Sequence, residues 1–211
     1  MTQSKAHTVI LDYGIGNRGS MANMIKYANS HVTLSSDPGV IFQADRLVLP
    51  GVGSFDACMK AFRETGLEKT LKQAVFDKNI PLLAICVGSQ MLFEKSQEGT
   101  EEGLGWLNGE VKGLAGLDLS AGSKIPHMGW NIVKLRQHMY HCDELMKKNR
   151  FYFAHSYYCD CLDEENVIAT THYGGQIIPV GFSSGNITAY QFHPEKSHKF
   201  GQKLMWNFIH G

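Results

Sequence analysis

Residues 81–93, Pro-Leu-Leu-Ala-Ile-Cys-Val-Gly-Ser-Gln-Met-Leu-Phe, restrict what this chain can fold into more than any other stretch. Four apolar residues, Leu82, Leu83, Ala84 and Ile85, predict a buried strand. The strand stops at Cys86 and turns into a helix over 89–93, with Gly88 allowing another backbone to come close. A thiol on such a turn is pushed out of the sheet edge and lies at a helix start, where aligned peptide dipoles favour the thiolate. Two readings stand at this point: a nucleophile on an elbow, or a small buried cysteine that closes a core strand.

The segments before this one repeat the same grammar. Apolar strands at 8–11, 32–35 and 46–49 alternate with helical patterns, the first carrying Met21, Met24, Ile25 and Ala28 on one face and the next two covering 55–63 and 67–76. Buried strands alternating with helices over short connections predict an α/β fold. Its core is a doubly wound, mostly parallel sheet with helices on both faces and ligands at the carboxyl ends of its strands.

Two of the connections are rich in glycine. Asp12-Tyr13-Gly14-Ile15-Gly16-Asn17 follows the first strand, but Gly19 is misplaced for a dinucleotide fingerprint, so it reads as a tight turn. Pro50-Gly51-Val52-Gly53-Ser54-Phe55 follows the third. Glycines on both sides of Val52 can present backbone N–H groups to a ligand as an oxyanion hole does, although an ordinary turn has the same composition.

From Gly103 the texture changes to strands at 106–111, 127–135, 151–158, 167–171, 177–183 and 187–192, with one short helix at 143–149. These predict an antiparallel or mixed extension of the sheet, sharing the core of the first half. A last helix, over 197–209, buries Phe200, Leu204 and Phe208. Neither a linker nor a repeat interrupts the 211 residues, which read as one domain over 1–211.

Composition removes several classes of function. Lysine plus arginine equals aspartate plus glutamate at 20 each, so no basic excess points to nucleic acid or an acidic membrane surface. No apolar run approaches the roughly 18 residues of a membrane span, and the start lacks the hydrophobic region of a signal peptide, so a cytoplasmic protein is expected. Five cysteines, Cys58, Cys86, Cys142, Cys159 and Cys161, are an odd number and read as reduced thiols. The last two have no second pair at zinc-site spacing, so neither a metal nor a cofactor is expected.

A thiolate nucleophile needs a base, and His193 is the best placed of ten histidines. It ends a strand in Gln191-Phe192-His193-Pro194-Glu195, where Pro194 fixes the backbone. In an extended chain Glu195 points the same way as His193, and its carboxylate can orient the imidazole as the third member of a triad. The competing reading is a surface turn.

Together, Ala-Ile-Cys-Val-Gly-Ser-Gln around Cys86 and Gln-Phe-His-Pro-Glu-Lys-Ser around His193 resemble the class I, triad-type glutamine amidotransferases, which hydrolyse L-glutamine to L-glutamate and ammonia. Further motifs narrow the resemblance to the family of imidazole glycerol phosphate synthase glutaminase subunits: the Asp12 to Asn17 turn, Leu-Pro-Gly-Val-Gly-Ser-Phe at 49–55, Ser-Gln-Glu-Gly at 96–99, Gly-Leu-Gly-Trp at 103–106, Pro-His-Met-Gly-Trp-Asn at 126–131 and Phe-Tyr-Phe-Ala-His-Ser-Tyr at 151–157. The resemblance implies Cys86 as nucleophile, His193 as acid and base, and Glu195 as its orienting partner. It also implies an oxyanion hole from the N–H of Val87 with that of Val52 or Gly53, and glutamine held by Gly53, Gln90, Glu98, Ser156 and Tyr157. A heterodimer with a (β/α)8-barrel cyclase subunit is implied too, its interface at Pro126, His127, Met128, Gly129, Trp130 and Asn131. Trp130 read alone has a second reading, a half-buried core aromatic.

The chain departs from that family at Ala84, where glycine is usual, and at Ser89, where a larger apolar residue is usual. The stretch 195–201 is also similar to paralogues that supply ammonia for the amidation of surface-polysaccharide sugars. Histidine biosynthesis and sugar amidation are therefore the two acceptor pathways expected, in that order.

Overall fold

The computed structural model describes residues 5–135 and 149–211. Its first half keeps the expected rhythm: β1 (His7–Leu11), α1 (Arg18–Tyr27), β2 (His31–Ser35), the single-turn α2 (Pro38–Ile41), β3 (Arg46–Leu49), α3 (Phe55–Glu64), α4 (Leu67–Lys72) with a π turn at Gln73–Asp77, β4 (Leu82–Ile85) and the one-turn α5 (Val87–Gln90). Strands dominate the second half: β5 (Lys95–Ser96), β6 (Gly109–Gly113), β7 (His127–Leu135), β8 (Arg150–His155), β9 (Tyr157–Cys161), β10 (Val167–Tyr173), β11 (Gln176–Ser184) and β12 (Ile187–Tyr190) precede the closing α6 (His198–His210). Apart from Asn149, the helix expected over 143–149 lies outside the described residues.

Nine strands form one sheet in the order β2-β1-β3-β4-β12-β11-β10-β7-β8. The first five pair in parallel and the remaining pairings are antiparallel, which is the expected parallel sheet with its extension. α1 packs on α6, whereas α2 and α3 pack with α4, as right-handed crossovers on opposite faces require. With helices on both sides β4 has no solvent face, and Leu82, Leu83 and Ala84 are wholly buried. In the antiparallel part a two-residue turn at Gly174-Gly175, both with positive φ, joins β10 to β11 as a hairpin of matching twist.

Three expectations need correction. The strand expected over 151–158 is two strands broken at Ser156: β8 pairs with β7 in the large sheet, while β9 pairs with β6 in a separate three-stranded sheet, β5-β6-β9. The extension is therefore not one continuous sheet. The strand expected from 106 begins only at Gly109, because Trp106 turns aside to meet Phe76 edge-on at 5.0 Å. The helix after Cys86 covers Val87–Gln90 rather than 89–93, so a single turn of amides, and no long helix, stands at the thiol.

Candidate active site

β3, β4 and β12 are adjacent in the sheet, so the chain leaving their carboxyl ends converges on one place. At the end of β4, Cys86 has φ 56 and ψ −115, a conformation that L residues with a side chain adopt only under constraint. The constraint is visible. Its N–H donates to the Tyr190 carbonyl at 2.8 Å, and its own carbonyl accepts from the Ser89 N–H at 3.0 Å and the Ser89 hydroxyl at 2.7 Å.

The turn after β3 is packed backbone to backbone against this elbow. A Cβ on Gly51 would overlap the amide of Gly88, and a Cβ on Gly88 would overlap the carbonyl of Leu49, so both positions exclude a side chain. The Tyr13 hydroxyl donates to the Pro50 carbonyl, and the Cys58 thiol donates to the Val52 carbonyl at 3.4 Å. In the planar trans peptide between Val52 and Gly53, the Gly53 N–H then points away from Cys58. The Glu98 carboxylate accepts from the Phe55 N–H at 2.7 Å and ties the far side of the turn to the segment after β5.

Past β12 the chain runs through Gln191 and Phe192 to His193, whose N–H donates to the Tyr152 carbonyl at 2.9 Å. The next residues are not extended. A turn of 3-10 helix at Pro194–Lys196 folds Glu195 back onto the ring, so the expected pairing is present for a different reason: Nδ1 of His193 lies 2.8 Å from Oε1 of Glu195. Both side chains are almost wholly buried, at 4% and 1% exposure. Ser197 fixes the turn by donating to the His193 carbonyl and accepting from the Tyr152 N–H, and Asn17 donates to Oε1 of Glu195 at 3.4 Å.

Burial is the largest influence on His193 and opposes its protonation, yet hydrogen bonds to Cys86 and Glu195 outweigh it and push the imidazole up to about 10. His193 is therefore an imidazolium at neutral pH, placed between a carboxylate and the thiol. Among the described residues, no imidazole stands among the influences on the other buried thiols. Burial pushes Cys58 up to about 11 and carries Cys159, an ordinary residue of β9, well above the usual thiol range.

Cys86 opens onto a cavity of about 290 Å³ lined by every expected glutamine-holding position, Gly53, Gln90, Glu98, Ser156 and Tyr157. Of the expected oxyanion-hole residues, Gly53 and Val87 line the cavity and Val52 does not. Pro126 and Met128 close it from the side of β7. The six residues expected at a partner interface divide by strand alternation. Met128 and Trp130 are exposed at 64% and 44%, and Pro126 is exposed with them; Gly129 and Asn131 are half-buried, and His127 is buried.

Three site residues carried no assignment in the sequence: Asn17 on Glu195, His155 in the cavity wall, and Gln191, whose Nε2 donates to the Cys86 sulfur at 3.9 Å. Gln191 stands two residues before His193 and His155 two before Tyr157, so same-side spacing in the strands expected over 187–192 and 151–158 was the available signal, although neither pair shares one strand in the fold.

The sequence profile of the family described as glutamine amidotransferase class-I matches residues 8–210. The chain is 46% identical over 200 residues to imidazole glycerol phosphate synthase subunit HisH 2 of Methanococcus maripaludis, covering 95% of this chain and 97% of that protein. It is 42% identical to subunit HisH of Leptospira borgpetersenii, with 94% and 97% covered. Among solved structures, PurLQS from Thermotoga maritima superposes with a TM-score of 0.74 at 18% identity, covering 97% of this chain and 98% of that one, a likeness of fold. An elbow cysteine beside a His-Glu pair on this sheet is thus matched by sequence similarity along nearly the whole chain, which belongs to the class I glutamine amidotransferases and, within them, to the HisH subunits of imidazole glycerol phosphate synthase.

Proposed function

We propose that Cys86, His193 and Glu195 hydrolyse L-glutamine to L-glutamate and ammonia in the cavity beside them, and that the ammonia passes to a cyclase subunit of (β/α)8-barrel fold held as a heterodimer in the cytoplasm. The observation that carries the chemistry is the convergence of the three strand ends, which brings the Cys86 thiol, hydrogen-bonded to the His193 imidazole, to a cavity that Gly53 and Val87 also line. The Cys86 thiolate attacks the side-chain amide carbon, and the oxyanion formed is held by the N–H groups of Val87 and Gly53. The C–N bond breaks as His193 gives its proton to the departing nitrogen, leaving a thioester and free ammonia.

Acylation removes the thiolate, the stronger of the two influences that raise His193, so the ring becomes easier to deprotonate and serves as a base. It takes a proton from water, whose oxygen attacks the thioester carbon. The C–S bond breaks and the Cys86 thiolate returns. Glu98, fixed by the Phe55 N–H, and the Ser156 and Tyr157 segment form the walls that hold the substrate's amino-acid end.

The exposed row Met128, Trp130 and Ile132 on β7 supports the partner surface. Trp130 stacks on His198 at 5.5 Å beside a second hollow shared with Arg150 and Lys199, a mixture of aromatic and basic groups suited to a protein partner. No helix among the described residues is long and apolar enough to cross a membrane. The named relatives are imidazole glycerol phosphate synthase subunits, which favours histidine biosynthesis over sugar amidation as the destination of the ammonia.

Cys86→Ala tests the reading. Glutamine-dependent ammonia release in the presence of the cyclase falls by on the order of 10⁴-fold or more, while folding and association persist. Turnover retained in that variant would sink the mechanism.

A further inference from the structure

Between half-buried Asn131 on β7 and the nucleophile runs a chain of buried and part-buried hydrogen bonds. Nδ2 of Asn131 lies 3.2 Å from Nε2 of His127, and Nδ1 of His127 lies 2.9 Å from Nε2 of His155. Nδ1 of His155 lies 2.7 Å from the Tyr157 carbonyl oxygen. That oxygen also receives Nε2 of Gln90 at 3.4 Å, which donates in addition to Oε1 of Gln191 at 2.9 Å. Gln191 in turn donates to the Cys86 sulfur. His127, His155, Gln90 and Gln191 are all buried.

The donor direction of the histidine segment, from Asn131 to the Tyr157 carbonyl, is fixed at both ends. The Asn131 carbonyl oxygen is taken by the Ile132 N–H at 2.8 Å, and its Nδ2, which also donates to the His172 carbonyl, can only give hydrogens. The Tyr157 carbonyl can only accept. Between them each imidazole must be neutral, with its hydrogen on Nδ1 and its lone pair on Nε2. No carboxylate approaches either ring among the described contacts: His127 lies between the rings of Phe153 and Tyr173, and His155 faces His127 and His193.

We propose that Gln191 is a positioning residue that aims a hydrogen-bond donor at the Cys86 sulfur, and that two tautomer-locked histidines, His127 and His155, anchor it through Tyr157 and Gln90 to β7. The inference rests on the reading of Cys86 as nucleophile. A donor aimed at sulfur favours the thiolate over the thiol. Loss of a link lets the Gln191 amide rotate, and the thiolate loses its donor. The partner-facing strand and the reacting atom thus share one set of buried groups, and a shift in β7 is felt at Cys86 without contact between partner and thiol.

Two measurements on the full chain, without glutamine or partner, test this. ¹⁵N NMR of histidine-labelled protein at neutral pH separates the tautomers, and both His127 and His155 are expected as neutral Nδ1–H forms, opposite to the preference of free histidine. An Nε2–H or doubly protonated ring at either position overturns the chain. The second is the rate of Cys86 alkylation by iodoacetamide as a function of pH, followed by peptide mass so that other thiols do not count. The titratable groups facing Cys86, which are His193, Tyr13, Cys58 and Cys159, stay the same in every variant.

Gln191→Met is expected to slow neutral-pH alkylation roughly tenfold or more, the loss of one hydrogen bond to a charged group. His127→Phe keeps the ring stacking, removes the donor, and slows it by about two- to fivefold, since the effect weakens along the chain. An unchanged rate in Gln191→Met overturns the role of Gln191. A slowed Gln191→Met beside an unchanged His127→Phe overturns the link to β7, even where His127→Phe lowers the melting temperature, because a merely structural ring moves stability alone. Should His127→Phe not fold, Asn131→Asp replaces the terminal donor with an acceptor, and the link then requires a hydrogen on Nε2 of His127, seen as an Nε2–H or imidazolium signal, with slowed alkylation. A wild-type Cys86 inert to iodoacetamide would instead undo the nucleophile assignment, a failure distinct from a reactive Cys86 indifferent to Gln191 and His127.

Discussion

The two parts of the large sheet handle polar chemistry in opposite ways. In the parallel part, β2-β1-β3-β4-β12, helices cover both faces, the interiors of the central strands β3 and β4 are apolar, the buried polar residues Thr8 of β1 and Thr188 of β12 do not titrate, and every reacting group stands beyond a strand end. In the antiparallel part, β11-β10-β7-β8, polar side chains belong to the paired strands themselves: His127 opens β7 opposite His155 at the end of β8, and Thr171 in β10 donates to the Ile132 carbonyl at 2.7 Å. A strand sandwiched between helices leaves no partner for a buried imidazole, whereas facing antiparallel strands offer each other's polar groups. The lesson is one of division. The carboxyl ends of the parallel strands supply groups whose charge changes, and the paired antiparallel strands supply groups whose charge must not.

The sharpest way to break this division is at His193. His193→Asn removes the proton carrier, and glutamine-dependent ammonia release is expected to fall by on the order of 10⁴-fold, as loss of one triad member does elsewhere. Partner association measured by calorimetry should stay within about twofold, since interface mutations act where the interface is. A loss of activity under tenfold would mean that the strand ends do not own the chemistry.

A smaller effect is expected at the backbone contact that builds the elbow. Gly51→Ala forces a Cβ into the Gly88 amide and should cost about 1–3 kcal/mol in urea denaturation, the usual penalty of overpacking. Gly113→Ala, where the nearest atoms are at an ordinary 3.7 Å from Tyr157, should stay within about 0.5 kcal/mol. Equal costs at the two glycines would show that the elbow tolerates displacement and that its tight fit is not what holds Cys86 in place.

How far the sequence could be read obeys the same division. Strand ends were legible because Cys86, the Gly51 to Gly53 turn and His193 each terminate an apolar run, and a parallel sheet gathers such ends. Glu195 was found with the wrong geometry, since after the 3-10 turn at Pro194–Lys196 Ser197 bridges the His193 carbonyl to the N–H of Tyr152, a distant residue that no local pattern reports. The break at Ser156 was missed because β8 and β9 are each strand-like and differ only in the sheets they join. The histidine chain was invisible for a related reason: Asn131, His155 and Gln191 meet through register between strands, and a one-residue slip in any pairing would separate them.

The last prediction sets the two parts against each other through pH. His193 is pushed up to about 10 in the folded chain, above its ordinary 6.5, so its contribution to stability is fully present below pH 6.5 and is lost as pH rises through about 10. His127 and His155 are held down to about 4 and about 3 by burial, so theirs is present above pH 6.5 and lost as pH falls toward those values, where the unfolded chain binds protons that the folded chain refuses. Denaturation of the isolated subunit across pH should therefore show an acid limb that becomes shallower in His127→Phe and an alkaline limb that becomes shallower in His193→Asn. Each substitution should leave the other limb in place, because the two groups take up protons over separate ranges. An acid limb unchanged in His127→Phe would mean that the ring is protonated in the fold, and with it the neutral, fixed-direction chain across β7 and β8 would fall.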